Sequence, residues 1–75
     1  MIKVNYGNNV KRDSTIVSPD TTINGFFENV GIDYSRGTTT LNGAPLSAGD
    51  VYKTFADLGI EGECYLYNVV KLDNA

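Results

Sequence analysis

The run at 64–72, Cys-Tyr-Leu-Tyr-Asn-Val-Val-Lys-Leu, constrains the fold more than any other stretch of this chain. Strand geometry sends alternate side chains to opposite faces. Cys64, Leu66, Asn68 and Val70 therefore share one face, and Tyr65, Tyr67, Val69 and Lys71 share the other. A second period-two segment opens the chain, where Ile2, Val4 and Tyr6 alternate with Lys3 and Asn5. Both terminal strands are apolar, which places both in the middle of a sheet. No crossover helix lies directly between them, so a parallel pairing would span the whole chain.

What lies between is strand, helix, strand and a short element. Gly7-Asn8-Asn9 reads as a turn, and 10–18 as a return strand, so that a β-hairpin opens the fold. Ile16 and Val17 are adjacent and point to opposite faces, so one of them is expected to be at least partly exposed. After Pro19, Thr21 or Thr22 offers a hydroxyl as helix N-cap. Ile23, Phe26, Phe27 and Val30 then follow at helical spacing, and Gly31 suits the helix end. Gly25 inside that helix costs about 1 kcal/mol relative to Ala. The helix is short enough to depend on packing of its two Phe rings. A loop at 33–37 leads to a β-branched strand at 38–41. Asn42-Gly43 is a hairpin turn signal with 44–46 as its return. Val51, Phe55 and Leu58 suggest one or two helical turns ending at Gly59, and Glu61-Gly62-Glu63 a turn before the last strand. The expected fold class is α+β, one domain over 1–75, with a single helix across one mixed sheet.

Seventy-five residues bury only about 60% of the surface of the unfolded chain, so the core is modest. The formal charge is −3, and the longest basic cluster is the pair Lys11-Arg12. Counterion release, the main source of nucleic-acid affinity, favours basic domains, so direct nucleic-acid binding is not expected and a basic partner surface is more natural. The chain holds one cysteine and no histidine. An intrachain disulfide is thus impossible, and a reducing, cytoplasmic setting is expected. No signal peptide and no membrane span is visible.

The same composition narrows the chemistry. Histidine, the commonest general base, is missing, and neither a Cys-His nor a Ser-His pair can be built. Cys64 reads as a small buried hydrophobe whose neighbour Glu63 raises the thiol pKa, opposing a reactive thiolate. Glu61 and Glu63 near Asp57, and Asp20 near the helix start, lack calcium-loop spacing and read as solvated surface charge. No cofactor, metal or catalytic residue is assigned, and an enzyme is not expected. The tyrosines carry more information. Tyr65 and Tyr67 share a strand face with Val69, away from the helix side. Tyr gives large contact area at low entropy cost, though cross-strand pairing on an open sheet face favours it as well.

These elements resemble ubiquitin and the wider β-grasp superfamily. The residues that carry the resemblance are the hairpin opening at residue 2; Val17, Pro19, Thr22 and Ile23 at the strand-to-helix join; Gly31-Ile32 at the helix end; Leu41, Gly43, Leu46 and Gly49; Asp57 and Ile60; and Leu66, Val69, Lys71 and Leu72 in the last strand. It covers nearly the whole chain. The helix looks a turn shorter, and 50–58 a few residues longer, than that pattern. The resemblance implies a β-grasp roll with four or five strands and a partner-binding patch at Thr40, Tyr67 and Val69. Conjugated members end in Gly-Gly, whereas this sequence ends Leu72-Asp73-Asn74-Ala75 and has no Gly-Gly pair, so conjugation is not expected.

The leading expectation is a non-catalytic protein-binding module that presents the sheet face around Tyr65, Tyr67, Val69 and Thr40. The alternative is a small acidic inhibitor, of phage or mobile-element type, that blocks a basic nucleic-acid-processing enzyme. Its mimic surface would be Glu61 and Glu63 with Asp57 and Asp73.

Overall fold

A computed structural model describes residues 1–70, and within them the two apolar terminal strands lie side by side. The elements in chain order are β1 (Ile2–Gly7), β2 (Arg12–Val17), α1 (Ile23–Val30), β3 (Thr38–Leu41), β4 (Ala44–Pro45), a 3-10 turn at Asp50–Tyr52, and β5 (Glu63–Val69). They build one five-stranded mixed sheet in the order β2-β1-β5-β3-β4. β1 and β5 run parallel, with Val4 opposite Cys64 and Tyr6 opposite Leu66. β1 with β2, β3 with β5 and β3 with β4 are antiparallel. The architecture is α+β, as expected, and is compatible with a β-grasp fold.

Alternation along the strands decides where the core sits. Ile2, Val4 and Tyr6 of β1 and Cys64 and Leu66 of β5 are buried on the helix side, where α1 contributes Ile23, Phe26 and Phe27. Ile32, Leu41, Val51 and Phe55 complete the cluster. Phe26 organises it, meeting Tyr6, Phe27 and Phe55 edge-on at centroid distances of 5.1, 6.1 and 5.8 Å. Such edge-to-face contacts contribute about 0.5–1.5 kcal/mol each beyond area burial.

The helix is fixed at both ends by its own sequence. Thr22 is the N-cap, its Oγ1 accepting from the Gly25 N–H at 3.2 Å. A Cβ at position 25 would stand 2.8 Å from that oxygen, so the glycine that weakens the helix also makes room for the cap. At the other end Gly31 adopts φ 78°, and its N–H and that of Ile32 return to the Glu28 and Phe27 carbonyls. This pair of bonds is the Schellman arrangement, with Ile32 buried beneath it. Lys11 Nζ donates to the Val30 carbonyl, a cation placed at the negative end of the helix dipole.

Two expected strand boundaries are corrected and one expected segment is resolved in detail. The return strand begins at Arg12 rather than at 10, because Asn8 closes the turn by accepting the Val10 and Lys11 N–H groups. The one or two helical turns expected up to Gly59 are two separate turns. Lys53 is extended (ψ 158°), and the backbone at 53–56 bonds to 19–23 instead, through Ile23 to Lys53, Phe55 to Thr21 and Ala56 to Pro19. Residue 54 then starts a new turn with a reciprocal cap, the Asp57 carboxylate accepting from the Thr54 N–H and Thr54 Oγ1 from the Asp57 N–H. β5 ends at Val69, and Val70 is held by the Asn9 side chain, which accepts from its N–H and donates to its carbonyl. Lys71, Leu72 and Asp73 lie outside the described residues.

Candidate functional site on the open sheet face

The face of the sheet opposite α1 is assembled from strand register. β5 contributes Glu63, Tyr65, Tyr67 and Val69. Beside them in β1 stand Lys3 opposite Glu63, Asn5 opposite Tyr65 and Gly7 opposite Tyr67. On the other flank Thr40 is opposite Tyr67 and Thr38 opposite Val69. β2 adds Ile16 beside Lys3, Ser14 beside Asn5 and Arg12 beside Gly7. Thr40, Tyr65, Tyr67 and Val69 thus lie beside one another on this face. Tyr65, Val69 and Ile16 are 51%, 48% and 56% exposed, and Tyr67 is half-buried.

Tyr67 owes its burial to residues that sequence reasoning missed. The Arg12 guanidinium lies over its ring, 5.6 Å from the centroid. Arg12 reaches Tyr67 because the strand between them presents Gly7, which has no side chain. A Cβ there would meet the Lys11 carbonyl oxygen at 2.3 Å and the Arg12 Cγ at 3.1 Å. The cation–π contact is worth about 0.5–1 kcal/mol at an exposed site, and it sets the guanidinium over the ring. The hairpin register from Ile2 opposite Val17 would have located it, since it sets Gly7 against Arg12.

The acidic residues are placed differently. Glu63 Oε2 accepts from Asn5 Nδ2 at 2.8 Å and stands 4.0 Å from Lys3 Nζ, so its charge is already partnered on the same face. The Asp57 carboxylate is engaged in its turn cap. Glu61 is exposed in the turn before β5. These groups do not converge into a metal-binding cluster, and none is present among the described residues.

Behind the face, the groups with reactive or polar side chains are used structurally. Cys64 is fully buried, and desolvation, with the nearby Glu63 charge, pushes its thiol up to about 11. Burial and this shift oppose a reactive thiolate at neutral pH. Asn68, 1% exposed, donates to the Arg36 carbonyl and to Thr39 Oγ1 at 2.9 and 3.1 Å, tying the loop before β3 to the sheet. A groove of about 550 Å³ opens beside that loop, lined by Tyr34, Ser35, Thr39, Ser47, Val51 and Tyr52 among others. Its lining offers hydroxyls and aromatic surface but no charged side chain. No helix among the described residues is long and apolar enough to cross a membrane. No family model, no curated protein and no solved structure matches the chain.

Proposed function

We propose that this chain is a ubiquitin-like, β-grasp module that binds a protein partner through its open sheet face, without catalysis, in a cytoplasmic setting. The observation that carries the reading is the platform at the sheet centre. Tyr67 under Arg12, flanked by Tyr65, Val69 and Thr40, combines aromatic area, an Arg head and partial exposure on two central strands. Tyr and Arg are the side chains enriched at the energetic centres of interfaces. Rigid central strands also lower the ordering cost of binding. The strand order, with β1 and β5 parallel at the centre, supports the β-grasp assignment.

The acidic-inhibitor reading is less favoured because two of its carboxylates are occupied. Glu63 is held by Asn5 and Lys3, and Asp57 caps a turn. A phosphate mimic needs its charges free to meet a basic groove.

The test is affinity capture from the native host, followed by titration of the captured partner against wild type, Tyr67→Ala and the double variant Glu61→Gln/Glu63→Gln. Tyr67→Ala is expected to weaken binding by roughly 30-fold, corresponding to about 2 kcal/mol, with little dependence on salt. A salt-sensitive complex that survives Tyr67→Ala and is lost in the double variant overturns the sheet-face reading in favour of the mimic.

A further inference from the structure

The charges of the open sheet face do not cancel. Among the described residues, the register sets three charged side chains on it, Lys3, Arg12 and Glu63. Glu63 stands 4.0 Å from Lys3 and also accepts from Asn5, so these two offset each other. Arg12 is left as the net charge of the face, one positive unit on a chain whose formal charge is −3. The other ion pair among the described residues joins Lys53 to Asp50, so no carboxylate there takes up the Arg12 guanidinium.

Lying over Tyr67 does not use up the hydrogen-bonding capacity of Arg12. The ring meets the flat side of the guanidinium, whereas the five N–H donors lie in its plane and point outward from its rim. Arg12 is exposed even in this position. The surface around it is apolar or carries only hydroxyls. Tyr65 and Val69, each about half exposed, flank Tyr67 along β5 at about 7 Å, and Thr40 stands opposite Tyr67 in β3.

We propose that the protein partner of this face presents a single carboxylate on an otherwise apolar segment, the carboxylate pairing with the Arg12 fork while the apolar side chains cover Tyr65, Tyr67 and Val69. The proposal rests on the sheet-face reading and adds the partner's chemistry to it. Three features of the site select this occupant. The planar fork of a guanidinium matches the two oxygens of a carboxylate. Contact with the Tyr67 ring holds the fork in place beforehand, so less side-chain freedom is lost when the pair forms. A single uncompensated cation, with Glu63 on the same face and net negative charge over the chain, suits one carboxylate and repels a polyanion such as a nucleic acid. Apolar side chains closing around the pair keep salt from screening it, so the complex depends only weakly on ionic strength.

The experiment is a nitrogen–proton NMR titration of the intact chain with phenylpropanoate, which carries one carboxylate beside one ring, and with its neutral amide and phenylpropylamine as controls. Such a small anchor is expected to bind with Kd on the order of 10 mM. The carboxylate is expected to shift the Arg12 side-chain N–H and the backbone amides of Tyr67, Val69 and Thr40, with the amide and the amine about 10-fold weaker or more. Arg12→Gln should abolish the preference for the carboxylate. Arg12→Lys, which keeps the charge and loses the fork, should weaken it by roughly 3-fold or more. Both substitutions leave the hairpin ladder in place, and unchanged α1 resonances report that each variant is folded. Equal shifts from acid and amide, shifts that persist in Arg12→Gln, or shifts centred on Lys3 or Lys53 overturn the proposal. So does tighter binding of a short oligothymidylate at the same residues, which would assign the face to a nucleic acid. A captured partner that is lost in Tyr67→Ala but binds Arg12→Gln as well as wild type overturns the carboxylate and leaves the sheet face standing. One indifferent to both overturns the face itself.

Discussion

The Arg12 guanidinium covers the Tyr67 ring at 5.6 Å by passing over Gly7, the one residue of β1 without a side chain. Two residues from strands that do not touch thereby form one platform. Glycine is ordinarily unfavourable inside a strand, where it packs nothing. Here its absence of a side chain is what the neighbouring strand and the platform both require.

Gly7→Ala is therefore expected to destabilise the fold by about 2 kcal/mol or more, because a Cβ 2.3 Å from the Lys11 carbonyl oxygen forces the hairpin apart. Arg12→Ala, which removes only the exposed cation–π contact, is expected to cost no more than about 1 kcal/mol. Urea titrations of the two variants give the comparison, and a Gly7→Ala midpoint equal to that of Arg12→Ala would contradict this account.

Gly25→Ala offers a test in which helix propensity and local geometry disagree. Propensity alone predicts a gain of roughly 1 kcal/mol. A Cβ at this position would lie 2.8 Å from Thr22 Oγ1 and displace the N-cap, whose loss costs about 1 kcal/mol. No net stabilisation is expected, and in the background of Thr22→Ala the same substitution should become favourable. Thermal melts of the four members of that double-mutant cycle measure the coupling.

Asn68→Ala is expected to cost about 2–3 kcal/mol, since it leaves the Arg36 carbonyl without its donor and opens a cavity at a buried position. The loss should be local as well as global. Hydrogen exchange is expected to accelerate at 36–39 before it does in β1 and β5.

Cys64 makes stability depend on alkaline pH in a direction that can be worked out. The thiol ionises near 9 in an unfolded chain and near 11 when folded, because burial disfavours the thiolate. The folded state retains the proton longer, so its contribution is fully present below about 9 and is lost as pH rises toward 11, at up to about 1.4 kcal/mol per pH unit. Comparison with Cys64→Ala isolates this from tyrosine titration: the stability gap between the two proteins should shift against wild type across that window. A disulfide-exchange reagent at pH 8 should react with Cys64 only at the rate of unfolding.

Several elements are legible because local pattern and burial coincide. The alternation at 64–69 marks the two faces of β5, and Thr22, Phe26, Phe27 and Gly31 mark the helix with both ends. The spacing of Val51, Phe55 and Leu58 reads as one or two helical turns. What it does not show is that the two turns are separated where 53–56 bonds to 19–23, a contact between distant parts of the chain. Tyr65, Tyr67 and Val69 share a face by strand parity and Thr40 enters only through the resemblance, whereas the Arg12–Gly7 pairing needs the hairpin register and its place over Tyr67 needs β1 set beside β5.

By itself, then, the sequence determined the alternation that sets the core-facing residues, where the helix stops, its start to within Thr21 or Thr22, and that the chain has no histidine and one cysteine. Those properties follow from periodicity, capping and composition, which act within a few residues. The tertiary structure alone decided that Glu63 is partnered by Asn5 and Lys3, that Arg12 shields Tyr67, and that β2 and β4 lie at the edges of the sheet. Each depends on which strands become neighbours, and that choice is made by burying one shared core, not by any local run of residues.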